Sequence, residues 1–321
     1  NTPMYESPQS TEQTLLSQME ALVFEAKRKR EELSLAIEGK DEERQKTLTK
    51  EIQDILSQCN KIRKEIEGEI TEEATISVDY TYTEEKSDQN TGETITESKT
   101  EKITLDIEKE IDSFTEFYNT YSIDLPPNFK QAVIEIWNKN RDEIHKAIEQ
   151  DGFNTILIVP ETLPSLPQLH TQMTEGYNAT YKGSGFTAGG SFEGVIEDRS
   201  TKPRIILVHK EDLWQHPAMK GTLNKKIETY LEQGQSLTLS DYLVLQRKIY
   251  DETGEHIDTK SKVDNLYFYT ALPGSKVPNP SGGFRVVCAC WSPGSGRLYV
   301  DAVAPDDSDP YLGCRPSRSF F

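Results

Sequence analysis

The spacing of apolar residues switches from a helical to a two-residue period near residue 75, and no single element can carry both. Leu48, Ile52, Ile55, Cys59, Ile62 and Ile66 follow alternating steps of four and three, the seam of a helix packed along another helix. Upstream, Leu15, Met19, Leu22, Ala26, Leu33 and Ile37 recur at helical spacing, interrupted by Lys29. Between the runs, Gly39 suits a helix C-terminus and Asp41 an N-cap, which predicts an antiparallel helical hairpin. Each run is short for an autonomous coiled coil; a stalk that self-associates is the alternative. From Ile76 the pattern becomes Ile76, Val78, Tyr80, Tyr82, and after a polar turn at 87–92 it resumes with Ile95, Ile103, Leu105 and Ile107. This predicts an acidic β-hairpin over 75–107. Helices are expected at about 108–121 and 128–149, the second opened by Pro126-Pro127 with Asn128 as N-cap. Residues 11–150 therefore read as an elongated helical module with an inserted β-hairpin, after a disordered lead at 1–10.

Beyond Asp151-Gly152 the chain reads as α+β. Thr155–Val159 and Ile205–Val208 are continuous apolar runs, the mark of strands buried on both faces. Two short helices follow at about 221–233 and 238–253, with Ser236 or Ser240 as cap, and then strands separated by Gly/Pro turns. A ligand-binding domain over 151–321 is the expectation. The length of 321 residues accommodates both parts.

The formal net charge of −18 argues against nucleic acid or an anionic membrane as partner, leaving Arg315-Pro316-Ser317-Arg318 as a local basic candidate. No apolar run is long enough to span a membrane. No signal peptide is visible at Asn1, so no compartment is assigned. His145, His170, His209, His216 and His256 form no metal-ligand pair, and neither a phosphate loop nor a nucleophile elbow is present. Asp301, Asp306, Asp307 and Asp309 lack calcium-loop spacing and read as a solvated turn. No catalytic residue, metal or cofactor is expected.

Residues 285–321 use a different alphabet from the rest. The segment has no Lys, Glu, Gln or Met, yet holds three of the four cysteines, Cys288, Cys290 and Cys314. It also alternates. Val287, Ala289 and Trp291 interleave with Cys288, Cys290 and Ser292; Leu298, Val300 and Ala302 interleave with Tyr299, Asp301 and Val303. Successive strand residues point to opposite faces. One face is thus consistently small or apolar and suited to packing. The other mixes thiol, hydroxyl, phenol and acid, and is expected to be exposed.

The frame Arg285-Val286-Val287, Ala289, Trp291, Pro293, Gly296-Arg297-Leu298, Val300, Ala302, Pro305-Asp306, Ser308, Leu312-Gly313 and Arg315-Pro316-Ser317-Arg318, then Phe320, resembles the variable region of proteins diversified by diversity-generating retroelements. The resemblance implies a C-type-lectin-like domain. It also implies that intervening positions derive from Asn codons randomised at their adenines, which cannot yield Lys, Glu, Gln, Met or Trp. Cys288, Cys290, Ser292, Ser295, Tyr299, Asp301, Val303, Ala304, Asp307, Asp309, Pro310 and Tyr311 would form the ligand-binding face. Trp291, Arg297, Gly313 and Arg315 would be scaffold. The target implied is a protein or cell-surface ligand, with homo-oligomerisation through the helices open. Two competing expectations are an enzyme of formylglycine-generating type using Cys288 and Cys290, and a structural assembly protein.

Overall fold

The computed structural model describes residues 8–39, 41–66, 74–87, 94–186, 192–259 and 266–321. It is mixed α+β and divides into two compact units, 1–72 and 73–321. The expected turn at 88–92 lies outside the described residues, as do residues 1–7 of the expected lead; Pro8 already begins a helix.

The first unit is the helical hairpin. Helix α1 (Pro8–Glu38) turns back into α2 (Glu42–Ile66). The Asp41 carboxylate accepts the Arg44 N–H at 3.1 Å and caps α2. Ala26, Ala36, Leu48, Ile52 and Ile55 are buried. Lys29, which interrupts the seam, pairs with Glu51 across the hairpin at 2.7 Å. Ile37 departs from expectation. It is 56% exposed, because Ala36 faces the turn instead: its carbonyl accepts both the Asp41 N–H and the Gln45 side chain.

The second unit opens with the β-hairpin, β1 (Thr75–Ser87) and β2 (Thr94–Asp106). Ile76 pairs with Leu105 and Val78 with Ile103, so these four share one buried face. The hairpin packs on α4 (Phe129–Asp151), which follows α3 (Ile107–Thr120). The unit boundary therefore falls at 72/73, not near 150: the hairpin, α3 and α4 pack with the C-terminal sheets.

Strand β3 (Thr155–Val159) is followed by a helix absent from the sequence reading, α5 (Leu166–Met173). Two short strands come next, β4 (Tyr181–Lys182) and β5 (Ile196–Glu197), then β6 (Arg204–Val208). Of the helix expected at 221–233 only α7 (Ile227–Glu232) forms, preceded by a short helix upstream of the expected range, α6 (Pro217–Lys220). Helix α8 (Leu239–Thr253) is capped by Thr238, not by Ser236 or Ser240, in a reciprocal box with Asp241. The chain ends with β7 (Tyr269–Pro278), β8 (Phe284–Ser292), β9 (Arg297–Val303), β10 (Leu312–Cys314) and β11 (Ser317–Phe320).

Two sheets result. The smaller has the order β11-β6-β3, antiparallel throughout. The larger has the order β10-β7-β8-β9-β4, with β5 on β7. β7, β8 and β9 form an antiparallel meander; β10 and β4 join its edges in parallel. Helix α8 touches β7 of the larger sheet and β3 of the smaller. That position explains why so much of it is buried, polar Asp241 and Gln246 included. Asp241 is ion-paired to Arg204 of β6 at 2.6 Å with both side chains buried; such a pair is tolerated inside because each charge meets its opposite.

Candidate functional site

The site expected from the tail lies on β8, β9 and the loop to β10. The structure sorts its residues by accessibility more finely than the alternation did. Along β9, burial alternates strictly: Leu298, Val300 and Ala302 are buried, while Arg297, Tyr299, Asp301 and Val303 are half-buried. Along β8 it does not. Val286 through Ser292 are all buried.

Cys288, Cys290 and Ser292 are therefore not on an accessible surface, and their expected exposure is corrected. Each has a specific cover. Cys288 sits in a core cluster with Ile227 and Tyr230 of α7, Ala271, Val286, Leu312 and Cys314. Cys290 pairs in register with Tyr299, and the nearby Tyr269 side chain offsets part of the effect of burial on its thiol. Ser292 Oγ lies 3.0 Å from the Tyr267 hydroxyl and accepts from Ser295 Oγ at 2.7 Å. The alternation argument failed here because a chemically mixed strand face still packs when small side chains meet a cover from elsewhere in the chain, α7 over Cys288, Tyr269 over Cys290 and Tyr267 over Ser292. Burial pushes the Cys288 thiol well up and those of Cys290 and Cys314 up to about 12. All three are protonated at neutral pH, which leaves no thiolate nucleophile among them.

Tyr299 is at the centre of what remains accessible. It lies between two tyrosines from outside the tail: Tyr181 at 4.9 Å between ring centroids and Tyr267, stacked, at 6.0 Å. The Arg297 guanidinium lies over both Tyr299 and Tyr181, 5.6 and 5.8 Å from the ring centres. Arg297, expected as scaffold, thus shares the face of Tyr299. Hydrogen bonds from Ser295, then Ser292, hold the Tyr299 phenol below its usual pKa. Tyr181 itself is 48% exposed. Its place beside Tyr299 comes from the parallel β4–β9 pairing, a contact more than a hundred residues apart in sequence that no local period could announce.

Asp301 is less free than expected. Its Oδ1 accepts the Gly185 and Ala302 N–H groups, each at 2.8 Å. Gly183 and Gly185 are required for that approach: a Cβ on Gly185 would fall 1.8 Å from the Ala302 carbonyl oxygen. Val303 packs on the cluster under α7. Ala304 is half-buried and Asp307, Asp309, Pro310 and Tyr311 are exposed. The two acids brace the loop: Asp307 accepts the Ala304 N–H at 2.9 Å and Asp309 the Tyr311 N–H at 2.7 Å. The loop is tied to the start of α7, where the Glu228 N–H reaches the Pro305 carbonyl at 2.8 Å. Among the described residues, no group of three His, Cys, Asp or Glu is arranged to hold a metal ion.

The scaffold behind this face is dense. Trp291 is buried and stacks on His256 at 3.5 Å between centroids, with Tyr177 edge-on at 4.8 Å. Gly313 leaves no room for a side chain, since a Cβ would meet Thr222 Oγ1 at 2.7 Å. Arg315 is fully buried, so no basic patch exists at 315–318. It pairs with Asp258 at 2.8 Å and donates to the Glu211 and His209 carbonyls. Burial pushes the Asp258 carboxyl up, to about 6, against the pull of Arg315. No known family model, curated protein or solved structure matches this chain. Among the described residues, no helix is long and apolar enough to cross a membrane.

Proposed function

We propose that the chain is a non-catalytic ligand-binding protein whose C-terminal surface is diversified by a retroelement. In this reading residues 151–321 hold a C-type-lectin-like domain and the target is a protein or cell-surface ligand. The observation that carries the reading is the strict alternation of burial along β9, which puts Tyr299 on an open aromatic platform while its strand neighbours lock the sheet. Tyrosines make good anchors for variable recognition because they are large, amphipathic and lose little rotamer entropy. Side chains on a rigid sheet and a braced loop can change without unfolding what lies beneath. The lectin-like reading draws support from the path of the chain: β6, two short helices, α8, the β7–β8–β9 meander, then β11 returning antiparallel to β6. Cys288 and Cys290, buried and protonated, give the enzyme alternative no support.

The accessible set is accordingly Ser295, Arg297, Tyr299, Val303, Ala304, Asp307, Asp309, Pro310 and Tyr311, with Tyr181 and Tyr267 as fixed neighbours. A displayed library that varies Ser295, Tyr299, Ala304, Asp307, Asp309 and Tyr311 together is expected to keep most members folded and to yield binders against an arbitrary immobilised protein. A matched library at Trp291, Leu298, Val300 and Ala302 is expected to lose nearly all folded members. Equal losses in the two libraries, or a folded first library without binders, would contradict the proposal.

A further inference from the structure

Helix α1 carries a self-complementary stripe on the side turned away from α2. Phe24, Arg28, Glu31 and Leu35 are spaced by four, three and four residues, so they fall within about 60° of the helix circumference. All four are exposed. Phe24 is 73% and Leu35 67% exposed, unusual for large apolar side chains at the centre of a helix, whereas Ala26 and Ala36 face the hairpin interior.

The order along the stripe is apolar, basic, acidic, apolar, and it is symmetric about its midpoint between Lys29 and Arg30. A second copy of α1 laid antiparallel across a two-fold axis at that midpoint would place Leu35 of the second copy against Phe24 and Glu31 of the second copy against Arg28. Symmetry repeats both contacts. Lys27 and Glu32 are related by the same midpoint, but Glu32 already pairs with Arg28 and Arg44 of its own hairpin, at 3.7 and 4.0 Å, and adds nothing to the stripe. An isologous interface requires such self-complementarity, residue i meeting j while j meets i. A parallel arrangement would oppose Arg28 to Arg28 and Glu31 to Glu31. An unrelated partner would not require the charges to mirror each other about the midpoint of the apolar pair.

We infer that the outer face of α1 is a homodimerisation surface, with two helical hairpins associating through antiparallel α1 helices. The inference stands apart from the binding reading and survives its failure. The stripe is small beside a stable interface, so the association is weak and depends on concentration.

Sedimentation equilibrium of the full chain over a wide concentration range tests it. The unaltered protein is expected to show a monomer–dimer equilibrium. Arg28→Glu and Glu31→Arg, each replacing two attractive contacts by two repulsive ones, are expected to weaken the dimer by about tenfold. An equimolar mixture of the two variants should re-form a dimer, because one offers only acids and the other only bases. The double variant should regain the original strength. That recovery also separates lost pairing from misfolding, since the double variant carries both substitutions. A monomer at every concentration, a dimer indifferent to both substitutions, or singles that recover neither on mixing nor in the double variant would each overturn the inference.

Discussion

Trp291 and Ser292 are neighbours in β8 and both are buried, but by different parts of the molecule. The Trp291 ring is held on one face by His256 and Tyr177, and the residue's backbone N–H reaches the Asp258 carbonyl at 2.8 Å. Ser292 is covered on the other face by Tyr267 and Ser295. Removing the indole leaves a large void under aromatic neighbours that cannot all collapse into it. Trp291→Ala is therefore expected to cost about 3–5 kcal/mol of stability. Tyr299→Ala, at a half-buried position flanked by Tyr181 and Tyr267, is expected to cost about 1 kcal/mol or less while weakening ligand binding. Urea unfolding of the two variants checks the contrast, and similar losses would remove the distinction between scaffold and platform. Cys288 and Cys290 fall on the scaffold side of that line. The alphabet of the tail was visible in the sequence, but their burial was not, because whether a mixed strand face is exposed depends on α7 and on Tyr269, distant in the chain.

Among the elements, legibility followed how local their causes are. The helical hairpin was readable from its seam and from the break at Gly39 to Asp41, and β1–β2 from alternation ending in a shared apolar face. The runs at 155–159 and 205–208 announced buried strands. What the periods did not reveal is partnership. They gave no hint that β11 would return to β6, that β4 would sit beside β9, or that the compact units would divide at 72/73. Two-residue strands such as β4 are too short to show a period at all, yet β4 supplies Tyr181. The helix expected at 221–233 was overextended: only α7 (Ile227–Glu232) is helical there, because the left-handed Asn224, with φ of 59°, separates it from α6 upstream. That break lets the Asn224 N–H bind the Asp309 and Leu312 carbonyls, which fixes the loop of the candidate site.

At the scale of the whole molecule, buried histidines tie stability to pH. Burial lowers the imidazoles of His170 and His256 to about 4 and that of His209 to about 3. Unfolded, each takes up its proton near 6.5. Between these values the unfolded chain holds more protons than the folded one, so acidification favours unfolding. Glu110 and Asp258, both raised to about 6 by burial, act in the opposite sense between their unfolded values and 6. Burial also lowers the His216 imidazole and raises the Asp241 carboxyl, so four histidines stand against three carboxyls and the balance is a net loss. The urea midpoint is expected to be lower at pH 5 than at pH 7; a higher one would show that the histidines are not held neutral. The central claim is that an unchanging scaffold carries a surface rewritten by mutagenesis, and deep sequencing of the gene and its flanking DNA across a population of source cells tests it most directly. The account predicts substitutions concentrated at Ser295, Tyr299, Val303, Ala304, Asp307, Asp309, Pro310 and Tyr311. It predicts only small residues at Cys288, Cys290 and Ser292, invariance at Tyr181, Trp291, Gly313 and Arg315, and an Asn-rich near-copy of the tail nearby. An invariant tail with no near-copy would contradict it.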